Sequence, residues 1–272
     1  SKLEADSIEG GFIIKIDKPT GDGESCSTCY DDSFSFSSRY DTNGDISDQS
    51  NIFFIYHYPK PDDISQDQKD YIQSVIFEFE SVLLSENNEE LLNLIDLQSF
   101  IDFFIINELS KNPDGYRLST FLNKDFNGKL KMGPIWDFNL AYANVDYCDG
   151  ANPVGWIYNF NSICPDDIWQ VPFWWEDLMQ KEVFKTALKN RWFSLRSSSL
   201  SNSTILNTID SYTENLKSNK ITDQNFYVWP VLGQYIWPNF FVGSTHEEEI
   251  EFLKSWIDDR LDWMDMEINS LN

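Results

Sequence analysis

The chain is short of basic residues, histidine, cysteine and long apolar runs, and each shortage removes a class of function. Twenty Lys and Arg stand against 45 Asp and Glu, a formal charge of −25. A field of that sign repels phosphate backbones and anionic lipid, which argues against nucleic acid or a membrane surface as partner. The two histidines, His57 and His246, lie in unrelated contexts and suggest neither a metal site nor a triad. With no GxSxG, a serine-hydrolase reading has nothing to stand on. GxGxxG and GxxxxGK[ST] are also missing, so any nucleotide has to be held by other means. No stretch approaches the ~18 apolar residues that a bilayer span requires. The opening SKLEADSIEGG lacks the basic-then-apolar pattern of a leader, so the chain is expected to belong to a longer exported protein.

Four cysteines complete the list of scarce residues: Cys26 and Cys29 in CSTC, Cys148 and Cys164 in a loop rich in Gly, Asn and Pro. A tetrathiolate zinc site is one option, but no second CxxC supports it. Two disulfides in an exported protein are the expectation, with Cys148 bonded to Cys164 across the irregular loop they bracket.

What is present is enough for a core: 41% hydrophobic residues, 16% aromatic. GFIIKIDK, SFSFSSRY and NIFFIYHYPK read as strands within residues 11–60. From Ser65, a plausible N-cap, Tyr71, Val75, Phe79 and Val82 recur at helical spacing. LQSFIDFFIINELS, residues 97–110, is apolar nearly all round and predicts a buried helix. LSTFLN and KLKMGPIW, joined by KDFNG with its Asn127-Gly128 turn, predict a hairpin. A long loop is expected over 143–172. Helices are expected over 174–196, 201–218 and 245–269, the last opening on a Thr245/Glu248 capping box with Ile250, Leu253, Ile257, Leu261 and Met264 on one face. The class is α+β.

Two Asp-centred clusters, NPDGYR and PIWDFN, flank the hairpin. Asp114 stands in a turn at the end of the buried helix, and Asp137 just past the second strand. Turn aspartates are commonly Asx-turn or cap residues. The order helix, Asp loop, hairpin, Asp is nevertheless that of phosphoryl-transfer sites, where one aspartate orients the attacking hydroxyl and another holds Mg²⁺ against the phosphates. Arg117 can neutralise a phosphate, clamp Asp114 or form a structural ion pair. Asn112 can orient the loop or assist the metal, though Asn before Pro is ordinary turn chemistry. Ser119 stands five residues after Asp114, within the strand pattern. Glu108 is expected to pair with Arg117 or to serve a cap, and Lys111 either offsets local negative charge or is solvated.

Five segments carry a resemblance: GGFIIKIDK, FFIINELSKNPDGYRLSTFL, GPIWDFNLAYAN, WPVLGQYIWPN and THEEEIEFLKSWIDDRLDWM. Through them the chain resembles the spore-coat CotH family of atypical secreted-protein kinases, more closely its versions in bacterial cell-envelope proteins. The resemblance implies a kinase-like fold, a small N-terminal β region followed by a mostly helical lobe with the hairpin at its centre. Residues 1–62 would be the small-lobe remnant and hinge, and 63–272 the catalytic-type lobe. It implies Asp114 and Arg117 as catalytic, Asn112 and Ser119 on the cofactor side, and Asp137 and Asn139 at the metal. ATP and Mg²⁺ (or Mn²⁺) would be cofactors, and Ser or Thr of a secreted or envelope protein the acceptor. Many members carry a second acid where this chain has Asn139. The family's upstream basic segment has no counterpart here, so the 272-residue chain by itself is expected to be weakly active or inactive. Periplasm or cell surface is the implied location, with a lipid anchor as one option.

The competing reading is a kinase-derived module without turnover. Trp156, Trp174, Trp175, Trp229 and Trp237 lie in aromatic-rich stretches and can either fill a core or present stacking platforms to a glycan.

Overall fold

A computed structural model describes residues 7–20 and 26–271. The first six residues, which open the N-terminal stretch read above, lie outside the described residues. The chain divides into two compact units. Unit 1 takes residues up to Phe104, Asp114–Asp137 and Tyr158–Lys185; unit 2 takes Ile105–Pro113, Phe138–Ile157 and residues from Thr186 on.

Unit 1 is built on one antiparallel sheet. Its strands are β1 (Phe12–Ile16), β2 (Ser35–Ser37), β3 (Phe53–Tyr58), β4 (Thr120–Lys124) and β5 (Leu130–Met132), in the order β2-β3-β1-β4-β5. The expected hairpin is therefore not a separate ribbon. β4 pairs along the whole of β1, Phe12 opposite Lys124 and Ile16 opposite Thr120, so β1 is satisfied on both edges. That places FIIKI at the centre of the sheet, with Phe12 and Ile14 fully buried. The turn between β4 and β5 uses Asn127 in the left-handed region (φ +55), and the Gly128 N–H donates to Asp125 O at 2.9 Å. After β5, Gly133 at φ +113 takes a conformation that a side chain would strain, and its N–H still donates to Phe121 O at 2.8 Å. This glycine turns the chain toward Asp137.

Helix α1 (Gln66–Leu83) starts where expected, and the cap is reciprocal: Ser65 accepts from the Gln68 N–H and Gln68 Oε1 accepts from the Ser65 N–H. Its buried face holds Phe79 and Val82 as expected, together with Ile72, Ile76 and Leu83, and the two isoleucines rather than Tyr71 and Val75 meet the core in the first turns. A short α2 (Asn88–Leu94) is capped by Asn87. Helix α3 (Leu97–Ser110) is buried as its composition requires. Within the expected 143–172 loop lie a 3₁₀ turn (Ile157–Asn159) and α4 (Phe160–Ile163), pinned by the fully buried Ile157 and Phe160.

The predicted helix over 174–196 is two helices, α5 (Trp174–Gln180) and α6 (Glu182–Arg196), broken at Lys181, whose backbone is extended while its Nζ donates to Ser85 O at 2.8 Å. Trp174 and Trp175 are core residues, not platforms. Trp174 stacks on Phe54 (5.7 Å, 8°) and meets Phe79 edge-on, and Trp175 packs at 4.5 Å from Tyr116.

Unit 2 holds α7 (Asn202–Ser218), α8 (Ile221–Val228), which the sequence pattern did not announce, and α9 (His246–Ser270). Thr245 caps α9 by accepting from Glu248 N, but Glu248 reaches back to the Ser244 N–H, one residue beyond the expected partner. Trp256, Ile257, Arg260, Leu261, Met264 and Ile268 form its buried face. Cys26 and Cys29 are bonded, and Cys148 and Cys164 are disulfide-bonded as well. Sulfurs so bonded are not thiolates, which removes the zinc option. Among the described residues no helix is long and apolar enough to cross a membrane.

Candidate active site

The segment that follows α3 is folded against its own steric preferences. Tyr116 (φ +72) and Ser119 (φ +49) adopt the left-handed region, and so does Asp137 (φ +63). For a bulky residue such as Tyr116 this conformation is an outlier, costing roughly 1–3 kcal/mol, and it persists only where packing over-determines it. Here the Tyr116 ring is fully buried among Phe103, Phe104 and Trp175, and its hydroxyl donates to Phe104 O at 3.3 Å. The strain sits in the two segments that carry Asp114 and Asp137.

Asp114 is held from one side. Arg117 Nη2 donates to Asp114 Oδ1 at 2.8 Å, while Nη1 donates to Asp167 Oδ1 and to Trp169 O, both at 3.1 Å. The guanidinium lies 3.9 Å from the centre of the Phe160 ring, and the side chain is almost wholly buried. Of the roles open to Arg117, the clamp on Asp114 is the one it adopts in this geometry. The Asp114 carboxylate itself remains 23% exposed.

Burial raises the Asp114 pKa above the ordinary value. Arg117 and Lys18 oppose the rise, and Asp137 and Asp167 add to it. Asp137 is thus within electrostatic reach of Asp114. The cluster holds three carboxylates against two cations, so it favours an added cation. Its oxygen donors suit a hard ion such as Mg²⁺. No group of three His, Cys, Asp or Glu among the described residues could hold a metal.

Three contributors escaped sequence reading. Lys18 follows β1, lies 4.5 Å over the Trp169 ring and is in range of Asp114. Asp167 and Trp169 come from the 143–172 region. None belongs to a local motif, and a charged residue just past the end of a strand was the sole signal for Lys18. Ser119 lies immediately before β4 rather than within it. Asn112 is buried and Asn139 exposed with its backbone O accepting from Asn144 Nδ2 at 2.7 Å; both belong to unit 2, whereas the carboxylate cluster lies in unit 1.

Residues 16–264 match the family described as CotH kinase protein. The chain belongs to the CotH kinase family. The match spans most of the chain and takes in both aspartate segments. No curated protein matches the chain.

In unit 2, two neighbours of the predicted loop are buried and bonded. The Glu108 carboxylate meets Arg260 at 3.2 Å and accepts the Ile157 N–H at 2.8 Å. Lys111 is fully buried rather than solvated, its Nζ donating to Asp149, Asn152 O and Val154 O.

Proposed function

We propose that this CotH-family chain is the catalytic portion of a protein kinase that transfers the γ-phosphoryl group of ATP to Ser or Thr hydroxyls of an exported protein. The observation that carries the reading is a clamped, partly exposed carboxylate, Asp114, with a second carboxylate, Asp137, close enough to raise its pKa. Structural aspartates in turns do not need that mutual repulsion; a site that neutralises phosphate through a metal does.

In this reading Asp114 orients the acceptor hydroxyl and takes its proton as the oxygen bonds to the γ-phosphorus. The bond to the bridging β,γ oxygen breaks and ADP leaves. The raised Asp114 pKa makes the carboxylate a better proton acceptor than a solvated aspartate. Arg117 is a positioning residue for it, and Lys18 supplies positive charge beside it. Bound Mg²⁺ would supply charge neutralisation on the phosphates, held by Asp137 and, on the family likeness, by the amide oxygen of Asn139. Asn112 and Ser119 keep the cofactor-side roles that the likeness gives them. Two disulfides fit an oxidising compartment, hence an exported acceptor.

The test is incubation of the full-length protein with ATP radiolabelled at the γ-phosphate, Mg²⁺ or Mn²⁺ and a generic Ser/Thr protein acceptor. Wild type is expected to label Ser or Thr, and Asp137→Ala to lose both labelling and metal-dependent nucleotide binding. A wild type that neither transfers phosphate nor binds nucleotide by calorimetry would overturn the reading.

A further inference from the structure

Unit 2 exposes rings that a folded chain ordinarily buries. Tyr227 is 89% exposed, Trp229 62% and Trp237 70%, and Tyr235 and Phe240 are more than half exposed. Tyr227 belongs to α8, and the loop that carries the other rings is tied together internally. The Gly233 N–H donates to Gly243 O at 2.8 Å, Gln234 bonds Val231 O and Pro230 O, and the Asn239 N–H bonds Ile236 O. Two of its rings engage the 146–147 segment: Trp237 stacks against Tyr147 (6.3 Å, 13°), and the Tyr235 hydroxyl donates to Asp146 Oδ2 at 2.5 Å.

Beside that junction opens a cavity of about 460 Å³, walled by Phe240 and Phe252 on one side and by residues 149–153 on the other, with Asp146 and Tyr147 at its edge. The 149–153 wall is fixed from within. Lys111 binds Asp149 and Asn152 O, Trp256 Nε1 donates to Ala151 O, and Arg260 Nη1 donates to Pro153 O. The wall is thus pre-organised, and the cavity falls in the size range of small-molecule sites, roughly 300–1,000 Å³.

The acceptors of this cleft are held in place. Asp149 is paired with Lys111, and Asp146 accepts from the neutral Tyr235 hydroxyl and keeps its charge as a strong acceptor. The −25 charge of the chain repels an anion. What remains is flat aromatic surface beside hydrogen-bond acceptors. A hexose offers the complement, a C–H face that packs on a ring and hydroxyls that donate around it. We propose that this cleft and the ring beside it bind a neutral hexose oligosaccharide, with one sugar face on Phe240 in the cavity, another on Trp237 next to its Tyr147 edge, and hydroxyls donating to Asp146 and Asn152. The site is independent of phosphoryl transfer.

Calorimetric titration of the full-length protein with cellohexaose, laminarihexaose, mannohexaose and, as charged control, hexagalacturonate tests it. At least one neutral hexasaccharide is expected to bind, and hexagalacturonate is not. Trp237→Ala and Phe240→Ala should each weaken binding at least about tenfold, about 1.4 kcal/mol. Phe193→Ala, which removes an exposed ring on α6, should not weaken it, and Asp114→Ala should bind as wild type while losing transfer. Both ring variants remove exposed side chains, and an unchanged melting temperature will show that they fold. Failure of all three neutral sugars to bind, or binding unaffected by loss of Trp237 and Phe240, overturns the proposal.

Discussion

Arg117 in unit 1 and Arg260 in unit 2 both bind a carboxylate at the end of a backbone turn, yet they leave their surroundings in opposite states. Arg260 and Glu108 are sealed, each side chain 0% exposed, and the guanidinium also binds Glu108 O, Pro153 O and Gly155 O. Every donor there faces an acceptor of the protein. Arg117 is as buried, but its partner Asp114 keeps an open side and a repelling neighbour in Asp137. The Arg260–Glu108 pair is closed off from solvent, whereas the Asp114 side chain of the Arg117 pair stays partly exposed. Identity of residue types does not tell the two apart; the balance of burial and charge does.

The sharpest way to break the comparison is to remove one member of each pair. Asp114→Ala in the full-length protein should lower transfer by about 10³-fold or more, with Mg-ATP binding largely kept, because the acid orients the acceptor more than the nucleotide. Steady-state labelling and calorimetry on one preparation read both; lost nucleotide binding would place Asp114 at the metal instead. Arg260→Met should leave Glu108 buried without its cation and cost about 3–5 kcal/mol, a fall in melting temperature of roughly 10 °C. A melting point within a degree or two of wild type would mean the pair is not sealed.

A third carboxylate sharpens the contrast. Glu80 is fully buried in unit 1, bonded by the Ser38 hydroxyl (2.9 Å) and by Trp174 Nε1 (3.1 Å), and burial pushes its pKa up to about 7. The folded state therefore holds its proton more tightly than the unfolded chain. The stability it contributes is present in full below the ordinary carboxylate pKa and is lost as pH rises through about 7. Glu80→Gln should flatten that part of the stability–pH curve between pH 4.5 and 7.5, a difference of the order of 3 kcal/mol in denaturant melts across the window. Parallel curves for wild type and variant would refute it. The smallest effect belongs to an exposed cap: Ser65→Ala should cost α1 about 1 kcal/mol, measurable as a lower urea midpoint with unchanged slope.

Much of this was legible in local pattern. The Ser65 cap, the apolar α3, the Asn127-Gly128 turn and the two aspartate loops are short-range signals, and each appears where the residues put it. The break at Lys181 and helix α8 were not legible. At Lys181 the decisive feature is an extended backbone beside a bond to distant Ser85, and α8 follows a left-handed Lys220 that no composition rule announces.

The site divides the same way. Sequence alone determined that Asp114 and Asp137 end two loops flanking a hairpin, because turn chemistry and strand alternation act over a few residues. Only the tertiary structure decided that the hairpin completes a sheet around β1, that Arg117 turns to Asp114 and Asp167, and that Lys18 joins the cluster. It also decided which tryptophans are core and which are surface. Burial and charge balance depend on segments that are distant along the chain, and local pattern carries no information about which of them will meet.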